Sequence, residues 1–163
     1  DNRSTGRAAQ FLSPAVGGGN RYFPCRPTGG RRRNGMSSHL SKRVDLSFND
    51  AVSKTIEELA KEGFGVLTDI DVKAVLKKKL DVEFKQYRIN GACNPTLAYE
   101  TLKAEDRVGL MLPCNVIVRE MRGGGVEVSA IDPMSAMSVV GNESLAKTGK
   151  LVRDRLSTVI EGV

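Results

Sequence analysis

The sequence has no tryptophan, a single histidine, three cysteines and only 5% aromatic residues. Without a run of aromatic side chains, a base-stacking surface for single-stranded nucleic acid is not expected. The lone histidine, His39, lies near the start of the region that reads as folded. No Ser/His/Asp relay is therefore available, and a zinc site is short of ligands. There is no Cys-x-x-Cys pair and no Gly-x-x-x-x-Gly-Lys-Ser/Thr loop, so neither a zinc ribbon nor nucleotide hydrolysis has support. No apolar run approaches the roughly 18 residues of a membrane-spanning helix. Three cysteines cannot all pair within one chain, and nothing behind the early arginines resembles the apolar core of a secretory signal. Free thiols in a reducing, cytoplasmic compartment are the expectation.

What is present begins with charge. The net charge is +6 over 163 residues, which by itself points to nucleic acid. Its location argues otherwise. Residues 1–43 hold nine Lys or Arg against one Asp, whereas residues 44–163 hold sixteen against eighteen Asp or Glu. The basicity belongs to the N-terminal segment, and the electrostatic case for nucleic acid fails for the domain. Residues 1–35 also hold seven of the seventeen glycines and three of the six prolines. Such a composition buries too little apolar surface to offset ordering entropy, so a disordered tail is expected. Met36 opens a stretch that reads as a natural start, which would place residues 1–35 outside the native protein. An arginine-rich transit peptide is the rival reading.

From residue 36 onward the pattern is that of one domain. Leu40 to Leu46 suits a polar edge strand. Ser47 caps a helix whose stripe is Phe48, Val52, Ile56, Leu59 and Ala60, with Gly63 as a left-handed stop. Phe64 to Ile70 reads as a strand pairing beside the first. Asp69 or Asp71 then caps a short helix, Val72–Leu80, with Val75, Leu76 and Leu80 inward. Its Lys77-Lys78-Lys79 end suits the helix dipole, with an anion site as the lesser alternative.

Phe84 to Cys93 alternates as a third strand. Asn94 is a cap and Pro95 a first-turn residue for a helix with Leu97, Ala98, Thr101 and Leu102 inward. Cys114 to Met121 and Val126 to Asp132 flank Arg122-Gly123-Gly124-Gly125, a strong hairpin signal. Alternation sets Val118 against Val128 and Val116 against Ala130, with Arg119 facing Glu127 on the other side. By extension Cys114 falls opposite Asp132. Asn142 caps a last helix with Leu145, Val152, Leu156, Val159 and Ile160 inward. The order predicts an α+β fold: an antiparallel-rich sheet of about five strands, with two longer helices on one face.

Several stretches together resemble the small prokaryotic family catalogued as domain of unknown function 302. They are Glu62-Gly63-Phe64-Gly65-Val66-Leu67-Thr68, Asp71-Val72-Lys73, Gly91-Ala92-Cys93-Asn94-Pro95, Leu112-Pro113-Cys114-Asn115-Val116 and Ala130-Ile131-Asp132-Pro133. The resemblance covers residues 36–163. It implies a single α+β domain, similar in layout to half of the TATA-binding protein, with a tendency to self-associate as a homodimer. It implies no established activity.

Chemistry centres on the repeated Cys-Asn pair. Cys93 ends a strand just before a helix, where the positive helix terminus would lower its pKa; buried core packing is the alternative. Cys114 could converge with it. With Asn94, Asn115 and Asp132 the two thiols would line a site for a small ligand or soft metal, or cycle between dithiol and disulfide. Asp132-Pro133 also reads as a plain strand-ending turn. Two readings follow. The first is a self-associating, non-enzymatic binding module with no required cofactor and no membrane or nucleic-acid partner. The second is a thiol redox or sulfur-handling protein using Cys93 and Cys114. Missing general-base partners tilt the choice to the first.

Overall fold

The computed structural model describes residues 38–137 and 143–163. The expectations for residues 1–35, the start at Met36 and the cap at Asn142 lie outside them. Strand β1, His39–Val44, is polar and largely exposed. Helix α1, Phe48–Lys61, starts where the Ser47 hydroxyl accepts the Asp50 N–H at 3.2 Å, a contact worth about 1 kcal/mol. Its buried residues, Phe48, Ala51, Thr55 and Leu59, recur every three or four positions and turn one face inward. Gly63 ends it at φ +78°, a conformation only glycine adopts readily.

Strand β2, Gly65–Asp71, runs into α2, Val72–Leu80, which Asp71 caps by accepting the Ala74 N–H at 2.9 Å. Strand β3, Tyr87–Cys93, leads to α3, Pro95–Ala104, and a short 3-10 turn over Asp106–Met111. Strands β4, Cys114–Glu120, and β5, Val126–Ile131, form the expected hairpin around three glycines with positive φ. Helices α4, Pro133–Met137, and α5, Glu143–Gly162, complete the described elements.

The five strands form one antiparallel sheet in the order β1-β5-β4-β3-β2. The α+β class and strand number are as the sequence indicates. The hairpin register also agrees: Val116 faces Ala130, Val118 faces Val128 and Arg119 faces Glu127. The Arg119–Glu127 pair closes at 2.6 Å.

Helices α1 and α5 cover one face. Val116, Val118, Val128 and Ala130 from the central strands pack there with Leu59, Val152, Leu156 and Val159. These side chains leave water almost completely, each valine and leucine contributing on the order of 1.5–3 kcal/mol before chain entropy is subtracted.

Several expectations need correction. Strand β2 does not lie beside β1; among the described strands the two are opposite edges, and β2 pairs only with β3. An edge suits both, since β1 is polar and β2 is mostly exposed, while the apolar β4 and β5 need partners on both sides. Helix α2 buries none of its residues, and Val75 and Leu80 are exposed. Helical spacing gathers a stripe on one side but does not supply anything for it to pack against. Leu102 and Ile56 are likewise exposed, and β3 begins at Tyr87 rather than Phe84.

Candidate functional site

The two Cys-Asn pairs meet at the end of the sheet where β3 finishes and β4 begins. Cys93 closes β3, and Asn94 turns the chain into α3 by accepting the Leu97 N–H at 3.1 Å. Pro95 follows at the first helical turn, where its missing N–H removes no intrahelical bond. The same corner fastens α1 and α5. A side chain on Gly63 would meet the Asn94 amide nitrogen at 3.0 Å, and Arg155 donates to the Glu62 carbonyl at 3.0 Å.

Cys114 opens β4 and is buried, with Ala92 as its ladder partner on β3. It follows a cis Leu112–Pro113 peptide. Pro113 lies over Gly91: a Cβ there would sit 2.6 Å from Pro113 Cγ and collide with Thr68 Oγ1. Glycine at 91 is a requirement of this close approach, not of chain flexibility.

Between these elements is a crevice of about 30 Å³, room for little more than a water molecule. Its walls are almost wholly apolar. Cys93, Cys114, Phe64, Leu97, Thr101 and Val152 all line it. Thr101 spends its hydroxyl on the Leu97 carbonyl and offers nothing to the crevice.

The thiols are free, with no disulfide between them. Because Cys114 faces Ala92, Cys93 stands one residue off the direct pair, on the alternate pleat. The crevice reaches both because it wraps the end of the sheet.

The expected depression of the Cys93 pKa is not found. Burial pushes it up. The Asn94 side chain occupies the Leu97 donor and Pro95 has none, so the helix start offers the sulfur little and desolvation dominates. Burial pushes Cys114 up to about 11, with the neighbouring Cys93 adding to it. Both thiols are therefore neutral near pH 7.

The other candidates are placed differently. The β4–β5 ladder stops at Val116 and Ala130, so its register does not extend to a Cys114–Asp132 pair. β5 keeps its pairing with β1 to this point, and the Asp132 N–H goes to the Ser38 carbonyl at 3.0 Å. Its buried carboxylate accepts from Arg153 Nε at 3.1 Å and from the Met134 N–H at 3.0 Å, so it starts α4 and anchors α5. Asn115 is exposed on the opposite face of the sheet. It borders a shallow groove of about 370 Å³ that also includes Arg119, Glu127 and Ser129. The structure thus brings Cys93, Asn94 and Cys114 together, and leaves Asn115 and Asp132 outside. Among the described residues, no group of three or more His, Cys, Asp or Glu side chains is arranged to hold a metal ion.

Sequence reasoning missed Phe64 and Val152 as walls, and Arg153 as the partner of Asp132. Phe64 directly follows the helix stop, and Val152 belongs to the periodic stripe, so both carried a burial signal without a location. Asn90 was also missed. It is fully buried on the helix-covered face, opposite Val116, with no hydrogen-bond partner for either amide atom.

A family model described as domain of unknown function DUF302 matches residues 40–163. Among solved structures, the chain is similar to an uncharacterized conserved DUF302 protein from Bacillus stearothermophilus. The identity is 25% and the TM-score 0.72, over 77% of this chain and 97% of that one. No curated protein matches. No described helix is long and apolar enough to cross a membrane.

Proposed function

This chain belongs to the DUF302 family, and from that premise we propose a non-catalytic, self-associating binding module of the cytoplasm. Its site is the crevice at the end of the sheet. It takes the small apolar tip of a ligand or a soft metal ion, as its volume of about 30 Å³ allows, with Cys93 and Cys114 as the contacting groups. The observation that carries this reading is the convergence of both thiols in one apolar crevice. Neutral sulfurs in such a setting are polarizable contacts for an apolar group rather than nucleophiles, and a soft metal would bind them only by displacing their protons. Asn94 supports the site by fixing the start of α3, whose Leu97 forms one wall. A soft metal would need ligands beyond this pair, from a second copy or from a bound small molecule.

The competing reading, thiol redox or sulfur handling, requires a thiolate at one of these positions. Burial works against it at both, and the alternate-pleat placement works against a direct bridge. Alkylation with iodoacetamide across a pH series, read by mass spectrometry, separates the two. The binding reading predicts slow modification of Cys93 at neutral pH and slower modification of Cys114, each rising only above pH 9. Rapid modification of Cys93 below its ordinary range, with a Cys93–Cys114 disulfide on mild oxidation, would transfer the assignment to redox chemistry. Elemental analysis of protein purified without chelator tests the metal.

A further inference from the structure

The sheet face turned away from α1 and α5 carries a row that a wet surface does not call for. Register sets Ile70 opposite Ile89, and Ile89 opposite Ile117; the row continues through Ser129 and Ser41. The row beside it holds Tyr87, Arg119, Glu127 and Arg43. Ile131 extends the apolar area on β5. An antiparallel sheet with one solvated face places polar residues there. Here three adjacent strands present isoleucine instead, and the strand residues of the hydrophobic core all come from the other face. Ile70 and Ile131 remain 43% and 36% exposed, and Ile89 and Ile117 are half-buried.

We infer that this face stacks on the same face of a second copy of the chain, which specifies the interface for the self-association proposed above and rests on that reading. Two features favour a second copy over a partner of different chemistry. First, the charged row carries both signs, Arg119 and Arg43 on either side of Glu127, so it can meet its own two-fold image without like-charge repulsion. A row of one sign would need a partner of the other. Second, the area suffices. Five strands about 4.8 Å apart, each of six or seven residues at about 3.4 Å, give a footprint on the order of 500 Å². Two such faces bury roughly 1,000 Å², the lower limit of a specific interface. The isoleucine row lies at the centre of this footprint and the charged row toward its rim, the usual arrangement of an apolar core within a polar border.

Sedimentation equilibrium of the full chain tests the inference. The wild-type protein is expected to be dimeric at micromolar concentration. Ile117→Lys puts a charge at the centre of the row and is expected to weaken dimerisation about thirty-fold or more, with an unchanged circular dichroism spectrum. Ile70→Lys, at an already exposed edge position, gives the same direction of effect and remains informative if Ile117→Lys does not fold. Leu110→Lys is the control, because Leu110 is 89% exposed on the 3-10 turn and belongs to none of the five strands. A monomeric wild type would overturn the interface together with self-association. A dimer that survives both isoleucine substitutions, or that Leu110→Lys dissociates equally, would overturn the interface and leave self-association standing.

Discussion

The dipeptide Cys-Asn occurs twice at the same end of the sheet, once leaving β3 and once entering β4. At the exit, Asn94 turns inward along the chain and satisfies a helix donor, so it is part of the framework. At the entrance, Asn115 is already inside a strand, where alternation sends it to the exposed face. The cysteines diverge in the reverse sense. Cys93 keeps partial contact with solvent, while Cys114 is sealed on the core face opposite Ala92. Residue identity is the same at both places; the backbone setting decides which of the pair is structural and which is accessible.

The sharpest way to break this contrast is at Gly91, which lets Pro113 lie close and sets where β4 begins. Gly91→Ala forces a methyl group onto Pro113 and Thr68. It is expected to destabilise the fold by about 3 kcal/mol in chemical denaturation, and to raise the alkylation rate of Cys114. A loss below about 1 kcal/mol would mean that the β3–β4 junction has slack.

A smaller effect comes from the proton on Cys114. Its folded pKa stands at about 11 against an ordinary 9.0, so the native state holds the proton longer than the unfolded chain does. Stability is complete below pH 9, falls as the unfolded thiol ionises between pH 9 and 11, and levels above that. The loss from this group is on the order of 3 kcal/mol. Cys114→Ala is expected to flatten that part of the stability–pH profile whatever it does to stability at pH 7. An unchanged slope in the variant would place the alkaline transition elsewhere.

The smallest effect compares the two asparagines directly. Asn94→Ala removes a helix cap and is expected to cost about 1 kcal/mol, whereas Asn115→Ala, on the exposed face, stays within about 0.5 kcal/mol. Equal effects in thermal unfolding would erase the distinction between the two settings.

Much of the fold was legible because it is encoded locally. Ser47, Asp71, Asn94 and Gly63 mark helix ends through their own backbone and side-chain chemistry, independent of the rest of the chain. The β4–β5 register was legible because a one-residue slip would turn Val116, Val118, Val128 and Ala130 to the wrong face. The neighbour of β2 was not, because a strand reached through a helix carries no local signal of which ladder it joins. The inward stripe assigned to α2 failed for a related reason: periodicity describes a helix, and burial requires a second surface.

At the site, the meeting of Cys93 and Cys114 could be anticipated from the two junctions. The direction of the Cys93 shift could not, since it depends on how much water the crevice admits. The partner of Asp132 was also out of reach, because Arg153 arrives from α5, twenty-one residues away.

The strand order has a consequence for how the molecule assembles in time. Among the described strands β1 finds its only ladder partner in β5, with Val44 set against Val126 and His39 against Ile131. The opening strand therefore cannot enter the sheet until the chain has been extended by some eighty residues and the hairpin has closed. Such long-range pairing places folding toward the slow, millisecond-to-second end for a domain of this size. Until then β1 is without its ladder partner, and during synthesis its backbone groups are open to pairing with another chain.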